Sequence, residues 1–255
     1  MQRKRPLAPR GFDFLARWSQ GAWAESKVIE TVNATEFLAV HYGPSRGDPV
    51  SYREFAAWKR FFEEYQLKLE ARGKRPDLLL FKKDSIEVEQ DRQLALRLPE
   101  LNDEQCSKFV RLSKSGLEVE TSLWKAKKAL EHGTPLSFTV KEEDMERLTQ
   151  WQKAYNKSLL IVQVFYDSAY VISYNVVKQL IVEGRVKKAE KDRKTGKLTY
   201  NIPLSFGSEF AKLVEDPTVE SMVLENEKGL VMAYAVFKGG RFEPTRDGLG
   251  VLRST

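Results

Sequence analysis

Apolar residues recur at three- and four-residue spacing in several stretches of the chain, a pattern typical of amphipathic helices. The first such stretch covers residues 12–33. A second helix is predicted from Ser51, a suitable N-cap because Glu54 follows at capping-box spacing. Later helices are predicted after a cap at Asn102 or Asp103 and over residues 124–130, 142–155 and 176–182.

Short apolar runs bounded by turn residues predict strands between these helices. Residues 158–165 and 169–174 form the clearest hairpin, and residues 37–43 are either a short strand or a loop. Helices and strands alternate without an internal repeat, which indicates a single α/β domain over residues 1–255 with a mixed central sheet flanked by helices. The remaining predicted strands are residues 75–81, 116–122, 136–140, 198–206, 222–224 and 230–237, the last approaching a turn at Gly239-Gly240.

Two of the predicted strands carry acidic residues among apolar ones. Asp77 enters the apolar run of residues 78–81, and Glu118 and Glu120 share one face of the alternating strand 116–122. Three carboxylates on two neighbouring strands can bind a hard divalent cation such as Mg²⁺, which prefers oxygen ligands. Such an ion can polarise a phosphoryl oxygen and activate a water for attack on a phosphodiester. The pattern therefore predicts a metal-dependent nuclease.

The composition narrows the choice of metal ligands and partners. Cys106 is the only cysteine, which excludes an internal disulfide and a cysteine-based zinc site, and His41 and His132 are too few for a histidine-rich centre. The hydrophobic fraction of 42% allows a large core, yet no apolar run is long enough to span a membrane. The basic N-terminus lacks the apolar segment of a secretory signal. A net charge of +6 favours contact with nucleic acid.

Two other interpretations of the acidic residues stay open. In the first, Asp77 simply begins a strand, and Glu118 and Glu120 lie on a solvated face, as isolated acidic residues usually do. Glu87 and Glu89 also alternate with apolar positions and would supply the second acid pair from a tight hairpin. Their polar flanks make this pair the weaker choice for a central strand.

Arg75-Pro76-Asp77, followed by residues 118–124 (EVETSLW), resembles the motif of the PD-(D/E)XK nucleases and, more narrowly, of type II restriction endonucleases. Residues 137–144 (SFTVKEED) and 162–167 (VQVFYD) are similar to the AccI-type branch of that group. The resemblance extends from about residue 25 to about residue 175. It implies a restriction-endonuclease-like core with a mixed central sheet flanked by helices.

The resemblance also implies roles for individual residues. Asp77 and Glu118 would ligate Mg²⁺ together with the carbonyl of Val119, and Glu30 on the first helix would add an outer metal contact. The family usually has a lysine where this chain has Glu120, which could accept a proton or ligate a second ion. Lys141 could supply the missing positive charge to the transition state, or it could be an ordinary exposed lysine.

Contacts with DNA are harder to assign from the sequence. The densest basic stretch is either a DNA-binding arm or a solvated loop, and its candidate residues are Lys187, Lys188, Lys191, Arg193, Lys194 and Lys197. Arg3-Lys4-Arg5 and Arg10 are either a tail or a minor-groove arm. Trp124 and Trp151 are expected in the core. The part of the chain from about residue 185 would contact DNA or a second subunit.

The function implied by the resemblance is that of a type II restriction endonuclease that cleaves double-stranded DNA at a specific short sequence with Mg²⁺. Recognition of palindromic sites favours a homodimer. A cognate DNA methyltransferase and a location in the prokaryotic cytoplasm are further expectations. Two alternatives are a structure-specific repair or recombination nuclease of the same fold and a non-catalytic DNA-binding module, the latter favoured by the glutamate at position 120.

Overall fold

The computed structural model describes residues 12–43, 72–85, 93–122, 124–186, 198–225 and 231–255. The helices in these ranges are α1 (Phe12–Asn33), α2 (Asp103–Leu112), α3 (Ala126–Glu131), α4 (Glu142–Tyr155), α5 (Tyr174–Val182) and α6 (Arg246–Ser254). The strands are β1 (Phe37–His41), β2 (Leu78–Lys82), β3 (Ser115–Thr121), β4 (Ser137–Lys141), β5 (Ser158–Val164), β6 (Ser168–Ser173), β7 (Thr199–Pro203), β8 (Ser208–Glu225) and β9 (Val231–Pro244).

Seven strands form one mixed sheet in the order β1-β2-β3-β5-β6-β8-β9. Strands β3 and β5 are parallel, and the other neighbouring pairs are antiparallel. The parallel pair requires a crossover, which the chain makes through α3, β4 and α4. The prediction of an α/β fold with a mixed central sheet flanked by helices is therefore confirmed.

Side chains on the two faces of this sheet belong to two separate hydrophobic clusters. Leu78 and Leu80 of β2 pack in the cluster that contains Val28 of α1, whereas Leu79 and Phe81 pack in the cluster that contains Trp151 of α4. Because both faces of β2 are covered, its sequence is a continuous apolar run rather than an alternating one. Leu117 of β3 faces the α1 side, so the neighbouring positions 118 and 120 face the α4 side.

Helix α2 begins as its sequence predicts. The Asn102 side chain accepts a hydrogen bond from the backbone N–H of Gln105, and the Gln105 side chain accepts one from the N–H of Asn102. This capping box satisfies two N–H groups that the helix itself leaves unpaired. The helix predicted from Ser51 lies outside the described residues.

Strand β4 pairs with β7 in a separate two-stranded antiparallel sheet. Phe138 and Val140 are buried in the core, whereas Thr139 and Lys141 point to the opposite side of the strand. The backbone N–H of Thr139 donates to the side chain of Gln163, which brings β4 alongside β5 of the central sheet. The predicted strand is present, and it crosses over the face of the sheet on which Glu118 and Glu120 lie.

Strands β8 and β9 are much longer than the sequence predicts. Strand β6 pairs with β8 only over residues 208–212, so most of the β8–β9 hairpin extends beyond the central sheet as a two-stranded ribbon. The prediction of a turn at Gly239-Gly240 is wrong, because β9 continues through both glycines, which have positive φ. The pairing of β8 with β9 shifts its register between Leu213 and Glu215. Asp216-Pro217 interrupts the apolar pattern, and for this reason the sequence does not predict the full length of β8.

The two tryptophans expected in the core differ in their placement. Trp151 is fully buried, as predicted, but Trp124 has 56% of its surface exposed. The helix predicted over residues 124–130 begins only at Ala126. Trp124 therefore lies before the helix and not on its buried face. None of the helices in the described ranges is long and apolar enough to cross a membrane.

Candidate active site

The pairing of β2 with β3 brings the predicted acidic residues together. Leu78 pairs with Leu117 in antiparallel register, which places Asp77 opposite Glu118. The Asp77 carboxylate accepts a hydrogen bond from the backbone N–H of Val119 at 2.8 Å. Two strands that are 41 residues apart in the chain (118 − 77) thus deliver their carboxylates to one place.

The carboxylates of Glu120 and Asp144 lie close to that of Glu118. Each of Glu118, Glu120 and Asp144 has a carboxylate oxygen within 4.8 Å of the corresponding oxygen of the other two. Glu118 is only 4% exposed, and its Oε2 has no hydrogen-bond partner among the described residues. A buried carboxylate oxygen without a partner is costly, and a cation is the group that would best satisfy it.

The sequence pattern does not single out Asp144, although this residue ends the string of residues 137–144 that is similar to the AccI-type branch. It occupies the first turn of α4 with Glu142 and Glu143, and acidic residues are common at helix N-termini for reasons unrelated to function. Only the crossover of the chain between β3 and β5 turns this helix end towards Glu118. No signal in the sequence distinguishes Asp144 from its two neighbours.

Two lysines neutralise part of this acidic charge. The Lys74 ammonium pairs with Glu118 and with the Asp144 carboxylate, the latter at 2.9 Å. Lys141 donates to Glu120 Oε1 at 2.8 Å, so it is held in the site rather than pointing freely into solvent. Lys74 was missed by sequence reasoning because it precedes the Arg75-Pro76-Asp77 string and lies in no periodic element.

Burial and mutual repulsion disturb the ionisation of these groups. Desolvation raises the pKa of Asp77 well above its usual value, and the charges of Glu118 and Glu25 raise it further. Desolvation also raises the pKa of Glu118 despite the opposing effect of Lys74. Burial alone would lower the pKa of Lys74, but the charges of Glu118, Asp144 and Asp77 raise it. Four carboxylates against two ammonium groups leave the site short of positive charge.

The wall of the site beyond Glu120 is built by β5 and β4. Gln163 of β5 pairs in register with Glu120 of β3, so the two side chains lie next to each other on the same face of the sheet. Thr139 and Lys141, which share one side of β4, contact Gln163 and Glu120 respectively. Gln163 lies in the string of residues 162–167 that is similar to the AccI-type branch, but no pattern in the sequence assigns it a role.

Glu30, the predicted outer metal contact, lies elsewhere. Its carboxylate pairs with Lys27 of the same helix, and 57% of its side chain is exposed. Glu25 is the acidic residue of α1 whose charge acts on Asp77, and it also lies 3.4 Å from His41. The structure therefore favours Glu25 over Glu30, since a shift of five residues along a helix changes the face that a side chain occupies.

Several predicted contact residues lie outside the part of the chain that the structure describes. They include the alternative acid pair Glu87 and Glu89 and the N-terminal residues Arg3, Lys4, Arg5 and Arg10. The basic stretch proposed as a DNA-binding arm is also outside it: Lys187, Lys188, Lys191, Arg193, Lys194 and Lys197.

The candidate metal ligands at the site are all carboxylate oxygens on mostly buried side chains. These carboxylates outnumber the neighbouring ammonium groups of Lys74 and Lys141. Such a set suits a hard divalent ion rather than a soft one, which would require sulfur or imidazole ligands. The site can therefore hold a divalent metal ion next to an acceptor, Glu120, and two ammonium groups. These are the elements that metal-assisted phosphodiester hydrolysis requires.

A family model matches almost the whole chain. The family model of the AccI restriction endonuclease matches residues 3–132 and 121–247. No curated protein sequence matches the chain significantly. Among solved structures, D212, a nuclease from a fusselovirus, aligns with 12% sequence identity over 80% of this chain and 89% of that chain, with a TM-score of 0.31. Because the family model matches nearly its whole length, the chain belongs to the AccI restriction endonuclease family.

Proposed function

We propose that this type II restriction endonuclease is a Mg²⁺-dependent enzyme of the PD-(D/E)XK type, with its metal site at Asp77, Glu118 and Asp144 and with Glu120 beside them. Two observations carry the proposal: the carboxylates of Glu118, Glu120 and Asp144 converge, and Oε2 of Glu118 is buried without a hydrogen-bond partner among the described residues. Asp77 adjoins this group through its hydrogen bond to Val119, whose carbonyl we propose as a further ligand. The enzyme's substrate is DNA.

The residues of the site divide the work of hydrolysis. When bound, Mg²⁺ polarises a phosphoryl oxygen and lowers the pKa of a coordinated water. Glu120 is the general base that accepts a proton from the attacking water, and Lys141 fixes its carboxylate through Oε1. The ammonium groups of Lys74 and Lys141 supply the positive charge that a glutamate at position 120 cannot provide.

We further propose that the enzyme is a homodimer and that the β8–β9 ribbon lies in its interface. Helix α1 packs against β9 at the base of this ribbon, where Trp23 donates a hydrogen bond to the Gly239 carbonyl, but apolar side chains farther along the ribbon stay exposed. Val219 and Val223 are 57% and 60% exposed on this ribbon, and Val231 on the opposite strand is 58% exposed. Glu220 and Glu215 on the same ribbon pair with Lys238 and Arg241 of the opposite strand, so the ribbon has exposed valines without an excess of positive charge, and a second protein subunit suits it better than DNA.

The remaining features of the proposal rest on sequence. The chain forms one domain over residues 1–255, and the basic residues from Lys187 to Lys197 contact phosphates of a specific double-stranded site. The enzyme acts in the prokaryotic cytoplasm beside a cognate DNA methyltransferase. Replacement of Lys187 and Lys188 by alanine should weaken DNA binding and reduce its salt dependence by about one unit of slope per lost contact.

The first experiment is digestion of a long, unmethylated DNA of known sequence in the presence of Mg²⁺, beside an EDTA control and the Asp77→Ala protein. Sharp bands with Mg²⁺ alone, absent for Asp77→Ala, would support the proposal, and their ends would reveal the recognition site. Cleavage that persists in EDTA would contradict the role of the metal. Full activity of a folded Asp77→Ala protein would contradict the assignment of the site.

A further inference from the structure

Gln163 is a polar side chain that lies fully buried beside the acidic cluster. It belongs to β5, has no exposed surface, and pairs in register with Glu120 of β3. Neighbouring positions in register on parallel strands point to the same face of a sheet, so its amide lies next to the Glu120 carboxylate. Burial of an amide at this place is costly unless its polar atoms are used.

The orientation of the Gln163 amide is determined by its partner. Oε1 accepts hydrogen bonds from the backbone N–H and from the hydroxyl of Thr139, both at 3.0 Å. A backbone N–H can only donate, so the oxygen of the amide must face Thr139 and the nitrogen must face away from it. The usual ambiguity between the two amide atoms is thereby removed.

The nitrogen of this amide is left without a partner. Nε2 is buried and makes no hydrogen bond within the described ranges of the chain. The same strand that holds Gln163 through Thr139 also holds Glu120 through Lys141. The site therefore presents, side by side, an oriented donor with no acceptor and an oriented carboxylate.

We propose that Gln163 is a catalytic residue whose Nε2 donates a hydrogen bond to the attacking water while Glu120 accepts one from it. An ionised carboxylate has no hydrogen to donate, so Glu120 alone cannot direct a lone pair of the water. A donor on one side and an acceptor on the other fix the water with its second lone pair free to attack phosphorus. This inference rests on the proposed function and adds a residue to it.

Glu120 and Gln163 together serve the attack of water on the scissile phosphodiester. The water oxygen forms a bond to phosphorus, and one water proton passes to the carboxylate of Glu120. The bond from phosphorus to the leaving deoxyribose oxygen breaks, and that oxygen takes a proton from solvent. Gln163 keeps both of its N–H bonds throughout and stabilises the water only by orientation.

The test compares Gln163→Met and Gln163→Glu with the matched control Gln150→Met, which removes an exposed amide from α4. Gln163→Glu keeps an acceptor for Thr139 and replaces the amide donor by a carboxyl oxygen, which adds a negative charge and donates nothing when it is ionised, so it also serves if Gln163→Met does not fold. Loss of an oriented donor should lower the single-turnover cleavage rate by about 100-fold, in line with other catalytic donors. DNA affinity in Ca²⁺ should stay within error of wild type even where the melting temperature falls, and Gln150→Met should cleave normally.

The outcomes separate this inference from the proposed function. If Asp77→Ala is inactive while folded Gln163→Glu and Gln163→Met cleave at the wild-type rate, Gln163 has no catalytic role although the metal site stands. If Asp77→Ala is itself active, the proposed site fails as a whole. A slow variant whose DNA binding in Ca²⁺ is weakened to the same degree as its cleavage would indicate a structural role and overturn the inference.

Discussion

The carboxyl groups of Asp77 and Glu118 are buried next to each other, an arrangement that is unfavourable in the metal-free protein. Burial raises the pKa of both groups, and their mutual repulsion adds to the effect on Asp77. The folded protein therefore binds the Asp77 proton more tightly than the unfolded chain does. Stability contributed by this proton is present at low pH and is lost as pH rises from the usual value of 3.8 through the raised one.

Replacement of Asp77 by asparagine should accordingly stabilise the metal-free protein while abolishing cleavage. Asparagine keeps an acceptor for the Val119 N–H but carries no charge. At pH 8 in EDTA we expect the melting temperature to rise by about 2–4 °C, which corresponds to ~1 kcal/mol in a chain of this size. The difference should shrink as pH falls towards 4. Thermal melts of both proteins across this pH range test the expectation, and an unchanged or lower melting temperature at pH 8 would contradict it.

Asp144 tests the metal site at a residue that sequence reasoning missed. Asp144→Asn removes one of the three converging carboxylates and should weaken Mg²⁺ or Mn²⁺ binding by about 10-fold or more, the range seen when partners of a metal site are lost. Glu146→Gln, an exposed carboxyl-to-amide change on the same helix, is the control and should bind normally. Titration calorimetry measures both variants. Equal affinities for Asp144→Asn and wild type would remove Asp144 from the site.

Several elements together position the segment that carries Asp77. The backbone carbonyl of Asp77 accepts hydrogen bonds from the N–H groups of Tyr42 and Gly43, just beyond β1. Arg75 is buried, and its guanidinium donates to Asp103 of α2 at 2.9 Å. On the third side, a Cβ at Gly116 of β3 would lie 2.4 Å from Pro76 Cγ, so only glycine allows this close approach.

Gly116→Ala should therefore displace Pro76 and with it Asp77. Since a misplacement of about 1 Å can cost up to ~100-fold in rate, we expect a loss of cleavage larger than the loss of stability. The control is Gly21→Ala in α1, where an added Cβ meets nothing within 4 Å. That change should stabilise the protein by about 0.5–1 kcal/mol without affecting cleavage. Steady-state cleavage and denaturant unfolding of the two variants separate these effects, and an unimpaired Gly116→Ala enzyme would count against the positioning role.

At the scale of the whole molecule, membership of the AccI restriction endonuclease family decides between the functions that the sequence left open. The match extends to residue 247, well past the end of the resemblance at about residue 175, and it includes the long β8–β9 ribbon. The chain is therefore a restriction endonuclease rather than a repair nuclease or a non-catalytic DNA-binding module.

The ribbon offers a test of assembly. Val219→Asp and Val223→Asp place charges on its exposed apolar surface and should shift a dimer towards monomer by about 10-fold or more in dissociation constant, since each buries a charge without a partner. Val182→Asp, at an 88% exposed valine at the end of α5, is the matched control. Sedimentation velocity over a concentration series measures the change. A wild-type protein that stays monomeric at high concentration would overturn the proposed interface.

The sequence by itself determined the central strands and the acidic residues on them, because a strand buried on both faces must be apolar and any charge in it is conspicuous. It also determined the start of α2, since the capping box is a local interaction between Asn102 and Gln105. The tertiary structure alone decided that Lys74 and Asp144 join the site. It also decided that the charge of Glu25, rather than that of Glu30, acts on Asp77. The continuation of β8 past Pro217 likewise depends on its pairing with β9. These features depend on contacts between residues far apart in the chain, which local patterns of polarity do not specify.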